Sequence, residues 1–246
     1  MGTCGEGWGR NINGNNGSFI DVAIQYRLGA FGFLSSDEVN KFGVVNAGIR
    51  DQTFALQWVQ AHIGFFGGDL GRVTISGESA GGGSVMLQAM AHGGELGTSL
   101  FENVSFSTQY TWLFANKPKV IAASPYLPMR YDYNAYYPGQ AYYAFPHTAD
   151  SLPGVAADSL GASQSNFQCL AQADTATLKN ASATISASGM LGTWAFLPVT
   201  DGKFIQDVPS GQPLKKKVNG LRMLAGVRIL IIQRDGDSMV ANSAIE

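Results

Sequence analysis

Charge is scarce in this sequence: Asp, Glu, Lys and Arg make up 14% of the 246 residues, against roughly a quarter in an average soluble domain. The balance of 16 basic and 18 acidic side chains leaves a net charge of −2. That excludes the electrostatic footprint of a nucleic-acid or anionic-lipid binder. The one basic run, Lys215-Lys216-Lys217, sits in a Pro/Gly-flanked stretch and reads as a solvated loop. Cysteine is equally sparse. Cys4 and Cys169 are too few for a disulfide scaffold or a four-ligand zinc site. No apolar run approaches the ~20 residues that span a bilayer, so no transmembrane segment is expected. The opening Met1–Gly7 lacks a basic and then apolar stretch, so no signal peptide is expected within it. Sequons occur at Asn16, Asn103 and Asn180 and bear on the protein only if it is secreted.

What is abundant is glycine, 31 residues, within an ordinary 45% hydrophobic content. That combination predicts a single globular domain over 1–246 with buried strands, tight turns and close backbone approaches. Phe19–Tyr26 (FIDVAIQY) reads as a buried strand. Leu28–Gly32 breaks it. Asn46–Ile63 places Phe54, Ala55, Trp58, Val59 and Ile63 at helical spacing, with Asp51 suited to the early helix dipole. Val73–Ser76 reads as a short strand and Ala80–Ala91 as a helix with a glycine-rich first turn. Strand, helix, strand, sharp turn and helix make the alternation of a parallel α/β sheet. Further on, Val120–Ser124 predicts a strand and Gln168–Ser186 a helix. Phe196–Gly202 predicts a strand or turn, and Leu221–Gly226 a strand. Tyr131–Phe145 carries six of the nine tyrosines and reads as aromatic packing over a sheet or pocket.

One motif carries chemistry. Gly77-Glu78-Ser79-Ala80-Gly81 is G-x-S-x-G, placed after the predicted strand and before the predicted helix. That is the context a nucleophile elbow requires. A sharp strand-to-helix turn lifts a serine hydroxyl above the sheet, and small neighbours such as Gly77, Ala80 and Gly81 avoid collisions there. The helix start behind Ser79 offers unpaired N–H groups and a positive dipole end. The N–H of Ala80 is thereby expected to donate to the oxyanion of a tetrahedral intermediate.

The segments Gln25–Leu34 (QYRLGAFGFL), Asn46–Gln52 (NAGIRDQ), Ala55–Gln60 (ALQWVQ), Phe66–Asp69 (FGGD) and Val73–Gly82 (VTISGESAGG) together resemble the type-B carboxylesterase/lipase family, which includes the cholinesterases. The likeness is dense over residues 19–100 and weaker at Ala123–Pro125, Phe167–Leu170 and Leu197–Gly202. The resemblance implies an α/β-hydrolase fold and a mostly parallel central sheet flanked by helices. It also implies Ser79 as nucleophile, hydrolysis of small-molecule or lipid carboxylic esters, no cofactor or metal, and secretion.

Departures from the family pattern limit what carries over. Its first strands, its Gly-rich oxyanion loop and its C-terminal part are expected to be missing, which makes the fold partial. No Glu-Gly acid follows Leu221–Gly226, and the family's catalytic His has no counterpart, so acid and base are not identifiable. His62, His92 and His147, and Asp235 and Asp237, are weak stand-ins with ordinary structural explanations. A serine without base and acid partners is a poor nucleophile. An inert binding module is therefore the alternative reading. Residues 104–119, 16 in number, and 227–246 match nothing in the pattern. Intron read-through would explain both.

Overall fold

The computed structural model of the chain describes residues 16–77, 80–101, 103–105, 122–123, 166–188, 195–207, 212, 215, 217–219, 222–223, 225–226, 231–235 and 238–242. The tyrosine-rich stretch 131–145 and His147 lie outside the described residues.

Two short helices open the described chain, α1 (Gly29–Phe33) and α2 (Asp37–Phe42). Ser36 starts α2 by accepting the Val39 N–H at 3.1 Å, with Asp37 and Glu38 in the first turn. α3 (Ala47–His62) follows and passes through a 3-10 turn, Ile63–Phe66, into strand β1 (Thr74–Ser76). Helix α4 (Ala80–Met90) comes next and ends in a distorted turn, Ala91–Gly94. Strands β2 (Asn103–Ser105) and β3 (Ala122–Ala123) precede α5 (Asn166–Gln172) and α6 (Thr175–Ser188). Strands β4 (Arg222–Met223), β5 (Ala225–Gly226), β6 (Ile231–Asp235) and β7 (Ser238–Asn242) complete the order.

β1, β2 and β4 form a parallel sheet in that order, with Ile75 opposite Val104 and Val104 opposite Met223. β3 pairs in parallel with β5. β6 and β7 form an antiparallel hairpin that pairs, among the described residues, only with itself. Every residue of α4 from Gly82 to Met90 is buried. A helix buried on every side belongs inside a core, and its buried Gln88 is hydrogen-bonded to Thr53 and to the Ile49 carbonyl. Ile49, Ile75, Phe101, Phe204 and Ile205 pack around α4. A second cluster, Val39, Val45, Leu170, Ala181, Ile185 and Val199, joins α2, α5 and α6.

Several expectations change. Phe19–Tyr26 belongs to no strand, and Ile20, Val22 and Ile24 are exposed. A strand needs a partner at about 4.8 Å. Here a cavity of about 740 Å³ lies between this segment and β1. Leu28–Gly32, read as a breaker, is mostly helical, since α1 begins at Gly29 with Leu28 as its N-cap. The expected helix over 168–186 is two helices. Asp174 separates them by accepting from the Thr177 N–H at 3.0 Å and the Thr177 hydroxyl at 2.6 Å. In α3 the inward face is Ile49, Gln52, Thr53, Val59 and Ile63. Phe54 and Trp58 point outward, where Trp58 packs against His62 and Phe66. Asp51 serves Arg27 rather than the first turn. Its carboxylate accepts from Arg27 Nε at 2.8 Å, Nη2 at 2.7 Å and the backbone N–H at 3.0 Å. Those bonds hold the Asp51 carboxyl below the usual carboxylate range.

Candidate active site

The chain between β1 and α4 has only three residues in which to turn. β1 stops at Ser76 and α4 starts at Ala80. Gly77 shows how tight that corner is. A Cβ built on Gly77 would lie 2.3 Å from the carbonyl oxygen of Gly81 and 2.9 Å from the nitrogen of Gly82. No side chain fits against backbone at that range, so glycine at 77 is dictated by packing. Gly81 differs: nothing described lies within 4 Å of the position its Cβ would take. Ala80, the first helical residue, is exposed at the corner. Glu78 and Ser79 lie outside the described residues.

Helix geometry gives this corner its electrostatics. The first N–H groups of an α-helix have no partner within the helix, and the aligned peptide dipoles place partial positive charge there. α4 has 11 residues, enough to carry that dipole. Its far end is closed with unusual completeness. Asn219 Nδ2 donates to the carbonyls of Gln88 at 3.1 Å and Ala91 at 2.8 Å. The Asn219 N–H donates to the Ala89 carbonyl at 2.6 Å, and Gln212 Nε2 donates to the Met90 carbonyl at 3.0 Å. Both side chains are buried. Four consecutive carbonyls at the helix end thus have partners, from residues the sequence reading passed over. Their signal was weak, because the bonds join positions more than 120 apart.

A second missed centre braces the floor beneath α3. Asn46 adopts φ 58° at the start of α3 and is buried. Its side chain donates to the Val199 carbonyl and accepts the Val199 N–H, both at 2.8 Å. Asp201, also buried, accepts from the amides of Lys203, Phe204 and Ile205 at 3.0, 2.8 and 2.9 Å. Arg50 reaches the same carboxylate at 3.4 Å and lies over the Phe204 ring. The stretch read as strand or turn is therefore a loop organised by Asp201. In the basic run, Lys215 pairs with Asp207.

Of the weak stand-ins, His92 lies away from the corner. His92 follows the far end of α4, where its ring meets Phe204 edge-on at 5.0 Å. The 11-residue helix, at about 1.5 Å per residue, puts roughly 16 Å between that end and Ala80. His62 lies in an aromatic group, 5.0 Å from Trp58 and 6.3 Å from Phe65 between ring centres. Asp235 ends β6 in the self-paired hairpin, and Asp237 lies outside the described residues. Among the described residues no group of His, Cys, Asp and Glu has metal-binding geometry. No helix among them is long and apolar enough to cross a membrane. The 740 Å³ cavity touches the corner through Ser76, Gly81 and Ser84, yet it runs along β1 to Arg72. Ligands of parallel sheets bind beyond the carboxyl ends of the strands. A space along a strand's flank is therefore a sheet-edge gap rather than the place for substrate.

Comparison with known proteins places this geometry. A model of the carboxylesterase family matches residues 14–241. Carboxylesterase patB of Aspergillus clavatus is 35% identical over 225 residues, covering 90% of this chain and 34% of that protein. Secreted triacylglycerol lipase LIP1 of Gibberella zeae is 48% identical over 86 residues, 34% of this chain and 15% of the lipase. The crystal structure of Aspergillus niger EstA superposes with a TM-score of 0.63 at 26% identity, covering 88% of this chain and 36% of EstA. The fold is that of the α/β-hydrolase esterases, of which this chain spans about a third of the length.

Proposed function

The chain belongs to the carboxylesterase family, and from that premise we propose that it is a carboxylic ester hydrolase whose nucleophile is the Ser79 hydroxyl. The observation that carries the reading is the backbone approach of Gly77 to Gly81 at the β1–α4 corner. A side chain at Gly77 would collide with the Gly81 carbonyl, and a corner that tight supports reading the motif as a nucleophile elbow. In this reaction Ser79 Oγ adds to the ester carbonyl and gives up its proton to a base. The Ala80 N–H donates to the resulting oxyanion, a contact worth about 3–4 kcal/mol of barrier. Collapse of the tetrahedral intermediate breaks the acyl–oxygen bond, and the alcohol leaves with the proton. Water then attacks the acyl-enzyme and returns the serine. Protein groups and water suffice, so no cofactor enters.

The relatives' names point to small-molecule or lipid esters as substrates, and LIP1, named a secreted lipase, supports action outside the cell. His92, past the far end of α4, is too distant from the corner to be the base. That observation favours a second reading, an inert binding relative. A serine-directed organophosphonate separates the two. The ester hydrolase reading expects covalent capture by the chain and its loss in Ser79→Ala, with His62→Ala and His92→Ala unchanged. Equal labelling of the chain and Ser79→Ala would overturn it.

A further inference from the structure

The register of the parallel ladders changes abruptly between β2 and β3. Asn103 faces Arg222 and Val104 faces Met223, an offset of 119 positions (222 − 103 and 223 − 104). Ala122 faces Ala225 and Ala123 faces Gly226, an offset of 103 (225 − 122 and 226 − 123). On the far side of the ladder only residue 224 separates β4 from β5. The partner strand therefore carries an excess of 16 residues (119 − 103) over one uninterrupted run.

We infer that β2 and β3 are two halves of a single strand, divided by a 16-residue insertion. The paired residues place the excess between Ser105 and Ala122, that is residues 106–121, and removal of any 16 consecutive residues within 104–121, 104–119 among them, restores a single offset across the join. Asn103 keeps its place opposite Arg222. The count equals the length of the stretch that departs from the family pattern, reached here from hydrogen-bonded pairing alone. The insertion also has a defined site of entry. Ser105 is opposite Ser76, the last residue of β1. The last paired residue before the insertion is therefore level with the end of β1.

Three deletions in the full chain test this, because a one-residue slip turns every side chain of a strand to the other face. Removal of 104–119 takes out 16 residues. Removal of 105–119 takes out 15, and removal of 104–120 takes out 17. Amide exchange over 222–226 is expected to slow by at least about tenfold relative to the full chain in the 16-residue deletion only. Its soluble yield should also exceed that of the other two. Equal exchange or equal yield among the three deletions, including none that is soluble, would overturn the inference. So would slower exchange in the undeleted chain. Neither readout depends on Ser79, so the outcome leaves the proposed chemistry to its own test.

Discussion

At the scale of single residues, two glycines of one motif differ in what they are asked to do. A methyl group on Gly77 would sit against the Gly81 carbonyl, whereas one on Gly81 meets nothing described. Gly77→Ala is expected to destabilise the chain by about 1–3 kcal/mol and to abolish organophosphonate capture. Gly81→Ala should be neutral or gain up to about 1 kcal/mol in helix propensity. Thermal unfolding of both variants checks the contrast, and equal losses would contradict it. The Arg27–Asp51 pair gives a pH-dependent expectation. Hydrogen bonds lower the Asp51 carboxyl in the folded state, so its contribution is present above the unfolded value of about 3.9 and is lost as pH falls through the folded value. Its two side chains are partly exposed, 56% for Arg27 and 26% for Asp51, so Asp51→Asn should cost no more than about 1 kcal/mol near neutrality. That difference should shrink in acid. Urea titrations at pH 7 and pH 3 measure it, and a cost of equal size at both would contradict the assignment.

At the scale of elements, α4 is held at both ends and the two ends differ in legibility. The strand–turn–helix order at its start was readable because motif, strand and helix adjoin in sequence. The closure of its far end by Gln212 and Asn219 was not, because hydrogen bonds across that separation leave no local pattern. Asn219→Ala leaves two buried carbonyls without side-chain partners and is expected to cost about 2–3 kcal/mol. A loss below about 0.5 kcal/mol in denaturant titration would show that water or neighbours replace the bonds. The strand Phe19–Tyr26 was misread for a related reason. Its composition favours a strand, yet pairing is a property of two segments and β1 lies across a cavity. The two-helix outcome at Asp174 was within reach, since an Asp followed three residues later by a bonding Thr is a helix-start signal.

At the scale of the whole molecule, Phe204 joins the elements. It is 1% exposed and packs in the α4 core beneath Arg50 and His92. Phe204→Ala should cost about 3–5 kcal/mol, a loss that calorimetry of the purified chain would register. β1 has no described partner on its outer edge, and Phe54, Trp58, Phe65 and Phe66 are exposed on one side. Open edges and apolar patches promote association. Sedimentation is expected to reveal concentration-dependent self-association of this chain, and a monomer with one cooperative transition would contradict that. The serine itself is reached most directly by a slow-turnover p-nitrophenyl ester, following nitrophenol release and the mass of the peptide spanning Ser79. A burst approaching one equivalent per chain, with the acyl mass on Ser79 and neither in Ser79→Ala, is the predicted result. A burst that survives Ser79→Ala, or an acyl group mapped to another residue, would contradict it.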